Sequence, residues 1–401
     1  MKYANENGAL TIFLEGSIDS QNVHDLEKDI KNILEAHPEE KTVLEASALR
    51  YISSAGLRLL IKLQKEASSP ITICEVSPEV YEIFDMTRLN KIMDIRKKMR
   101  QISLEGAVPI GRGRSSTAYR IDSETIVKLY VDGVSLEKIQ QELDFAKKAF
   151  VAGIPTAISY DVVRCGNSYG VVFEEISHAD TVGGTITAHL DRFDAVMEKF
   201  VELYKKIHCT SIKDMGQFPA AKDRWMGWVK GMEPYYTPAE TDFLKKMVDS
   251  IPERHTMVHS DYHENNVLCQ DGEMVLIDMA DVGYGHPIFD LAGGAFRVHC
   301  SDMPERKASH GLTPENMHRF WDAVVRLYFS PQSPAQCQEI KEMCEAFGFL
   351  RSALFPMKHA QIGAELRNLH IADARKNLFP RQDWALAQIN KLNKYFPAVV
   401  E

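Results

Sequence analysis

Two spacings of apolar residues run through the first hundred positions. Strand signals mark residues 2–5, 9–15, 42–45 and 71–76. Helical spacing links Val23, Leu26, Ile30, Ile33 and Leu34, then Leu57, Leu60, Ile61 and Leu63, and a third helix is predicted over 79–86. Glu6-Asn7-Gly8 separates the first two strands and contains the Asn-Gly pair of tight hairpins. Pro38 stands where the first helix should end. A hairpin followed by alternating helices and strands implies an α/β front domain over residues 1–100, a mixed sheet with helices packed on it.

The pattern changes after the basic run Arg96-Lys97-Lys98-Met99-Arg100-Gln101, which reads as a solvated helix end and a domain boundary. Val108-Pro109-Ile110 enters Gly111-Arg112-Gly113-Arg114-Ser115-Ser116, and Ala118-Tyr119-Arg120 and Ile126-Val127-Lys128-Leu129-Tyr130 follow as strands. A hairpin turn alone explains one G-x-G. A glycine hairpin with Lys128 one strand later is the arrangement that covers nucleotide phosphates in kinase N-lobes. Ser115 and Ser116 add hydroxyl or amide donors. The next helix, with Leu136, Ile139, Leu143, Ala146 and Phe150, carries Glu142 as the expected partner of Lys128; Glu137 and Asp144 are the alternatives. A strand over 171–176 ends at Glu174 and Ile176, where an adenine would meet the backbone of a hinge. Residues 101–177 are thus expected to form a nucleotide-binding lobe.

Helical signals dominate the remaining 178–401: residues 188–208, 225–232 and 239–251, then 317–329, 335–347, 354–369 and 384–392. Between the two groups lies the stretch 256–290, which interrupts the helical pattern. It contains His259-Ser260-Asp261, then Asn266, a turn at Gln270-Asp271-Gly272, and the run Met274-Val275-Leu276-Ile277 that delivers Asp278. An Asp, an Asn and a second Asp on a loop–strand–turn–strand unit suit phosphoryl transfer from a magnesium nucleotide. One carboxylate takes or orients the hydroxyl proton, and the amide oxygen and other carboxylate hold hard cations against the phosphates.

Composition narrows the field. The chain has 401 residues, 45% hydrophobic and 26% charged, with a net charge of -9. That balance argues against nucleic-acid or anionic-membrane binding and would suit a cationic substrate, though acidic surfaces are common. Seven scattered cysteines without C-x-x-C read as reduced thiols, not a disulfide framework or zinc site. The polar N-terminus and the absence of a long apolar run lead us to expect a soluble, cytoplasmic protein. His263 and His286 have no second ligand at metal spacing. Trp321, Tyr328, Phe329 and Trp384 could make a cationic cage, but aromatics at helical spacing are more often core, and no substrate residue is assigned.

Two resemblances sharpen these expectations. Leu14-Glu15-Gly16-Ser17-Ile18-Asp19, a helix, a strand and then Ile52-Ser53-Ser54-Ala55-Gly56-Leu57-Arg58 resemble a STAS domain of the anti-sigma-factor antagonist type. The resemblance implies phosphorylation at Ser54 and an anti-sigma-factor-like or other protein partner. Ser53 stands where the family often has Asp, and Ala55 where a second hydroxyl is common. On the residues alone, Ser53 or Ser54 is a helix N-cap, and a phosphate on Ser54 would meet free amides and the helix dipole.

The second covers residues 104–400. His259 to Asn266, Ile277-Asp278-Met279-Ala280-Asp281 and Gly285-His286-Pro287-Ile288-Phe289-Asp290-Leu291-Ala292 resemble the motifs of the aminoglycoside phosphotransferase and choline kinase superfamily. The resemblance implies an α+β two-lobed kinase-like fold with a mostly helical C-lobe, ATP or GTP, Mg2+, and a small-molecule acceptor. It implies Asp261 as catalytic base, Asn266 and Asp278 as magnesium ligands and Lys128 on the α/β-phosphates. Gly111, Gly113, Ser115, Ser116, Glu142, Glu174 and Ile176 complete the nucleotide side, while His259 and Asp290 brace the loop. Ser260 replaces a usual glycine, a small-for-small change expected to cost little, and Glu264-Asn265 replaces a usual Pro-Gly. The short gap between Asp278 and Asp290 leaves no room for a long activation segment, which favours a small acceptor over a peptide. The alternatives are a protein kinase acting on a STAS-type serine, Ser54 in cis included, and a non-catalytic nucleotide-binding adaptor.

Overall fold

The computed structural model describes residues 1–6, 9–37, 41–67, 70–113, 115–176, 179–212, 218–305, 311–358 and 362–396. The Asn7-Gly8 turn, Pro38 and Arg114 lie outside the described residues. The chain folds into two compact units: Met1–Leu104 with Val162–Gly170, and Glu105–Asp161 with Val171–Glu401.

The first unit contains β1 (Tyr3–Glu6), β2 (Ala9–Ile18), α1 (Val23–Ala36), β3 (Lys41–Ile52), α2 (Ser54–Glu66), β4 (Thr72–Val76), α3 (Pro78–Met86), β5 (Asp94–Lys97) and β6 (Arg100–Gln101). The sheet order is β1-β2-β3-β4-β5, antiparallel at the first pair and parallel thereafter. Alternation along β2 and β3 buries Leu10, Ile12, Leu14, Leu44 and Ala46, and the helices add Ile30, Leu59, Leu60 and Phe84 to the same core. Burying this apolar surface is what holds the helices to the sheet.

Two expectations change here. Strand β3 runs twelve residues to Ile52, well past the four in the apolar pattern. The basic run at 96–101 is not a helix end: Asp94–Lys97 is an edge strand with only Ile95 buried, and Arg100–Gln101 pairs in parallel with Val163 and Arg164. Charges on the open side of an edge strand hide its period-two signal and discourage pairing with another chain.

The second unit begins with β7 (Val108–Arg112), β8 (Ser116–Arg120) and β9 (Thr125–Tyr130), an antiparallel meander. Helix α4 (Leu136–Val151) follows, then the strands β10 (Ser159–Cys165) and β11 (Ser168–Glu174), of which Val162–Gly170 belongs to the first unit and the remainder to the second. The helical part comprises β12 (Asp180–Thr181), α5 (Val182–Ala188), α6 (Phe193–Cys209), α7 (Ala221–Met232) and α8 (Pro238–Asp249). Next come β13 (Met257–Val258), β14 (Val267–Gln270), β15 (Glu273–Leu276), β16 (Gly283–Tyr284) and α9 (Ile288–Asp302). The chain closes with α10 (Pro314–Phe329), α11 (Pro334–Lys358), α12 (Ala364–Asn377) and α13 (Gln382–Tyr395). This is an α+β two-lobed kinase-like fold, and Phe200, Trp225, Phe289 and Phe347 are fully buried in its helical core.

The helix expected over 188–208 breaks at His189, so α5 and α6 are separate. The helices expected at 335–347 and 354–369 are instead one 25-residue helix, α11, followed by α12. Gly348 and Pro356 both lie within α11. A Cβ on Gly348 would come within 3.0 Å of Ala295 Cβ and the Phe296 amide, so glycine there permits close packing on α9. Its role is steric. The continuity of α11 carries two cations to the candidate site.

Candidate active site

Asp290, in the first turn of α9, anchors the loop after β13. Its Oδ2 accepts from His259 N (2.8 Å) and His208 Nε2 (3.0 Å), and Oδ1 accepts from Ser260 N. Burial would push this carboxyl up, but the hydrogen bond and charge of His208 hold it below its ordinary value. His259 Nδ1 accepts from Asp261 N at 3.3 Å. Ser260 sits at φ 64, the left-handed region that favours glycine, and its hydroxyl is buried without a hydrogen-bond partner. The exchange of serine for glycine is therefore not conformationally neutral.

Asp261 is the most heavily contacted carboxylate of the loop. Its Oδ1 lies 2.6 Å from Lys358 Nζ and 3.3 Å from Arg351 Nη2, whereas Oδ2 has His263 Nε2 at 3.8 Å. Arg351 also donates to Ser260 O at 2.9 Å. Burial favours the neutral acid, but Lys358, then His263 and Arg351, hold the Asp261 carboxyl well below the usual range. Lys358 also lies 3.0 Å from Asp281 Oδ2 and lowers that carboxyl against burial.

Asn266 Nδ2 donates to Asp261 O at 3.0 Å, and Asn266 O accepts from Ile277 N at 3.0 Å. These bonds set the loop beside the end of β15, whose hairpin turns at Asp271 (φ 50) and Gly272 (φ 86). Left-handed conformation at both positions suits a type I′ turn. Asp278 follows at φ 61, a further left-handed residue. In place of the usual Pro-Gly, Glu264 is buried and accepts from Arg297 Nε (3.0 Å) and Nη2. Its backbone carbonyl accepts from Gly183 N at 2.9 Å. A buried ion pair thus shapes this part of the loop.

In the strand-rich lobe, Lys128 Nζ lies 2.7 Å from Glu142 Oε1 and 3.1 Å from Asp278 Oδ1. Glu142, not Glu137 or Asp144, is the carboxylate that β9 and α4 bring to Lys128. Tyr130 OH donates to Glu142 Oε2 at 2.8 Å. Burial disfavours charge on Lys128, but Asp278 and Glu142 overcome this and raise its basicity. In the β7–β8 hairpin, Gly113 N donates to Ser116 O at 2.8 Å, and a Cβ on Gly113 would meet that oxygen at 3.3 Å. Ser115 is exposed, whereas Ser116 is buried. At the end of β11, Glu175 N donates to Glu124 O at 2.9 Å, and Glu174 and Ile176 flank it.

Among the described residues, no group of three or more His, Cys, Asp or Glu is placed to hold a metal ion. Asn266 and Asp278 offer one amide and one carboxylate as hard oxygen donors. That set fits Mg2+ only if phosphate and water oxygens complete it. Trp321 packs in the core and Tyr328 donates to or accepts from His208 Nδ1 at 2.8 Å, so neither forms a cage.

Sequence reasoning missed Tyr130, Arg297, Arg351 and Lys358. Arg351 alone left a signal, a charge inside the apolar run Phe347-Gly348-Phe349-Leu350-Arg351-Ser352-Ala353-Leu354. In the first unit, Ser53 is the N-cap of α2, its hydroxyl accepting from Ala55 N (3.2 Å) and Gly56 N (3.4 Å), while Ser54 is exposed.

Residues 106–309 match the family described as "Phosphotransferase enzyme family", and residues 2–102 match the STAS domain. The front unit is 30% identical over 92 residues to the Bordetella bronchiseptica protein described as "Putative anti-sigma factor antagonist BtrV", covering 22% of this chain and 78% of that one. It is 28% identical over 91 residues to an anti-sigma F factor antagonist of Paenibacillus polymyxa, again covering 22% and 78%. Among solved structures, a choline/ethanolamine kinase family protein from Mesorhizobium loti is similar over 71% of this chain and 92% of its own, with 14% identity and a TM-score of 0.48. With more than half of its length in that match, the chain belongs to the phosphotransferase enzyme family and carries a STAS domain of the anti-sigma factor antagonist type at its front.

Proposed function

We propose that the second unit transfers the γ-phosphoryl group of ATP or GTP to a hydroxyl of a small molecule, under regulation by the STAS domain. The observation that carries this reading is that Lys128 of β9 meets Asp278, whose preceding residue Ile277 bonds Asn266 of the Asp261–Asn266 loop. In this reading Lys128 contacts the α/β-phosphates while Glu142 and Tyr130 hold it in place. Asn266 and Asp278 would hold Mg2+, which when bound neutralises charge on the phosphates. The acceptor oxygen forms a bond to the γ-phosphorus as the bond to the β–γ bridging oxygen breaks. The nucleoside diphosphate leaves with that electron pair, and the hydroxyl proton passes to Asp261. Orientation of the hydroxyl and the fixed positive charge of Lys128 account for the chain's own contribution to rate.

Full-length protein with Mg2+, ATP or GTP and a panel of hydroxylated small molecules tests this reading. Acceptor-dependent release of nucleoside diphosphate, lost in Asp261→Ala, is expected. Full activity of purified Asp261→Ala would overturn it.

The exposure of Ser54 beside the capped first turn of α2 favours a second reading, in which that serine accepts phosphate. Mass mapping after incubation with γ-labelled ATP decides it; absence of label on Ser54 counts against it. Among the described residues no helix is long and apolar enough to cross a membrane.

A further inference from the structure

We propose that Lys358, at the end of α11, is a positioning residue for phosphoryl transfer: it holds Asp261 by Oδ1 so that Oδ2 alone faces the acceptor. The inference rests on the transfer reaction proposed above and assigns a role to a side chain outside the matched motifs.

The geometry has three parts. Lys358 Nζ lies between two carboxylates, 2.6 Å from Asp261 Oδ1 and 3.0 Å from Asp281 Oδ2. Both carboxylates are 30% exposed at the side chain and Lys358 only 6%, so the lysine lies behind them. Arg351, seven residues earlier, is two helical turns away on the same face. It reaches the same Oδ1 and the carbonyl of Ser260. One oxygen of Asp261 is thereby tied twice. Among the described residues, the other has no ion-pair contact closer than the 3.8 Å to His263.

A carboxylate fixed at one oxygen has its rotamer and the direction of its free lone pairs set, which is what a proton acceptor needs to meet a hydroxyl in line with the γ-phosphorus. Lys358 also donates to Ser260 O at 3.4 Å, but Arg351 holds the same carbonyl at 2.9 Å, so holding the loop against α11 does not require the lysine. Burying an ammonium is costly, and an apolar side chain of similar volume often serves packing as well or better. The double contact to Asp261 and Asp281 is the feature that packing alone leaves unexplained.

The test needs no acceptor. MgADP with aluminium fluoride mimics the planar phosphoryl group in flight, with water in the acceptor position, and complexes of this kind bind more tightly than ground-state ligands. Affinities of full-length wild type, Lys358→Met, Asp261→Asn and the double variant are measured by calorimetry for MgADP with and without aluminium fluoride. We expect Lys358→Met to lose about tenfold or more of the fluoride-dependent gain while MgADP affinity alone shifts less than about twofold. Asp261→Asn should lose a similar factor, and the double variant should be no worse than Asp261→Asn, since both changes remove one unit. Lys358→Arg, which keeps the charge, should restore part of the gain. Lys358→Gln substitutes for the methionine variant if that proves unstable.

A full gain in Lys358→Met, or losses that multiply in the double variant, would overturn the positioning role and leave the transfer reading intact. Wild type that binds MgADP but shows no fluoride-dependent gain would remove both.

Discussion

Lys128 Nζ lies 3.1 Å from Asp278 Oδ1, although the two residues are 150 positions apart. One comes from β9 and the other from the turn after β15, so this ion pair ties the strand-rich lobe to the helical one. The third member is Glu142, which Tyr130 holds through Oε2. Tyr130→Phe is expected to destabilise the protein by about 1–2 kcal/mol, the cost of leaving a buried acceptor short of a partner. It should also weaken MgATP binding several-fold by freeing Glu142 from its position on Lys128. Denaturation and calorimetry check the two effects; unchanged stability with unchanged affinity contradicts the role given to Tyr130.

Ser260 occupies a left-handed conformation and buries an unpaired hydroxyl. Ser260→Gly is expected to stabilise the second unit by about 1 kcal/mol, because the relieved strain and orphan hydroxyl outweigh the added backbone entropy of glycine. A thermal midpoint a few degrees higher confirms it. A lower midpoint means the hydroxyl has a compensating contact.

His286 couples stability to pH. Burial, aided by Arg254 and His208, pushes its imidazole down from 6.5 to about 3. The folded chain keeps it neutral while the unfolded chain protonates it, so stability is full above 6.5 and is lost as pH falls towards the folded value. Between pH 7.5 and 5.5 this one group should cost about 1.4 kcal/mol. His286 Nδ1 accepts from Ile288 N at 3.1 Å, a contact that Asn can reproduce two residues upstream. His286→Asn should therefore flatten the pH dependence of the thermal midpoint relative to wild type. Equal slopes contradict the assignment.

The charges beside Asp261 also speak to the acceptor. The net charge of -9 would suit a cation, but Asp261 and Asp281 are met by Lys358 and Arg351, and Arg224 donates to the Asp281 carbonyl. Three cations face two carboxylates, so a polycation approaching Asp261 meets repulsion. Aminoglycosides are expected to give no phosphorylated product with MgATP. Their turnover at rates matching neutral alcohols contradicts this view of the site.

Much of the site was readable because its chemistry is local. Asp261, Asn266 and Asp278 lie within eighteen positions on one loop and hairpin, where spacing and turn residues dictate the geometry. Lys128 and Glu142 are joined by a single strand-to-helix connection. Arg351, by contrast, meets Asp261 across 90 positions, and nothing in either local pattern announces the contact. The same holds for the fold. Alternating apolar residues revealed β2, but β5 was hidden by its charges, and α11 was expected as two helices although it runs unbroken through Gly348, which packs on α9.

Every role proposed above depends on a magnesium-nucleotide site built on Asp278 and Lys128. Calorimetric titration of ATP and GTP into the full-length chain, with and without Mg2+, tests it most directly. One nucleotide is expected to bind at least about tenfold more tightly with Mg2+ in wild type, and that gain is expected to vanish in Asp278→Ala. Binding of neither nucleotide, or a magnesium gain that persists undiminished in Asp278→Ala, would contradict it.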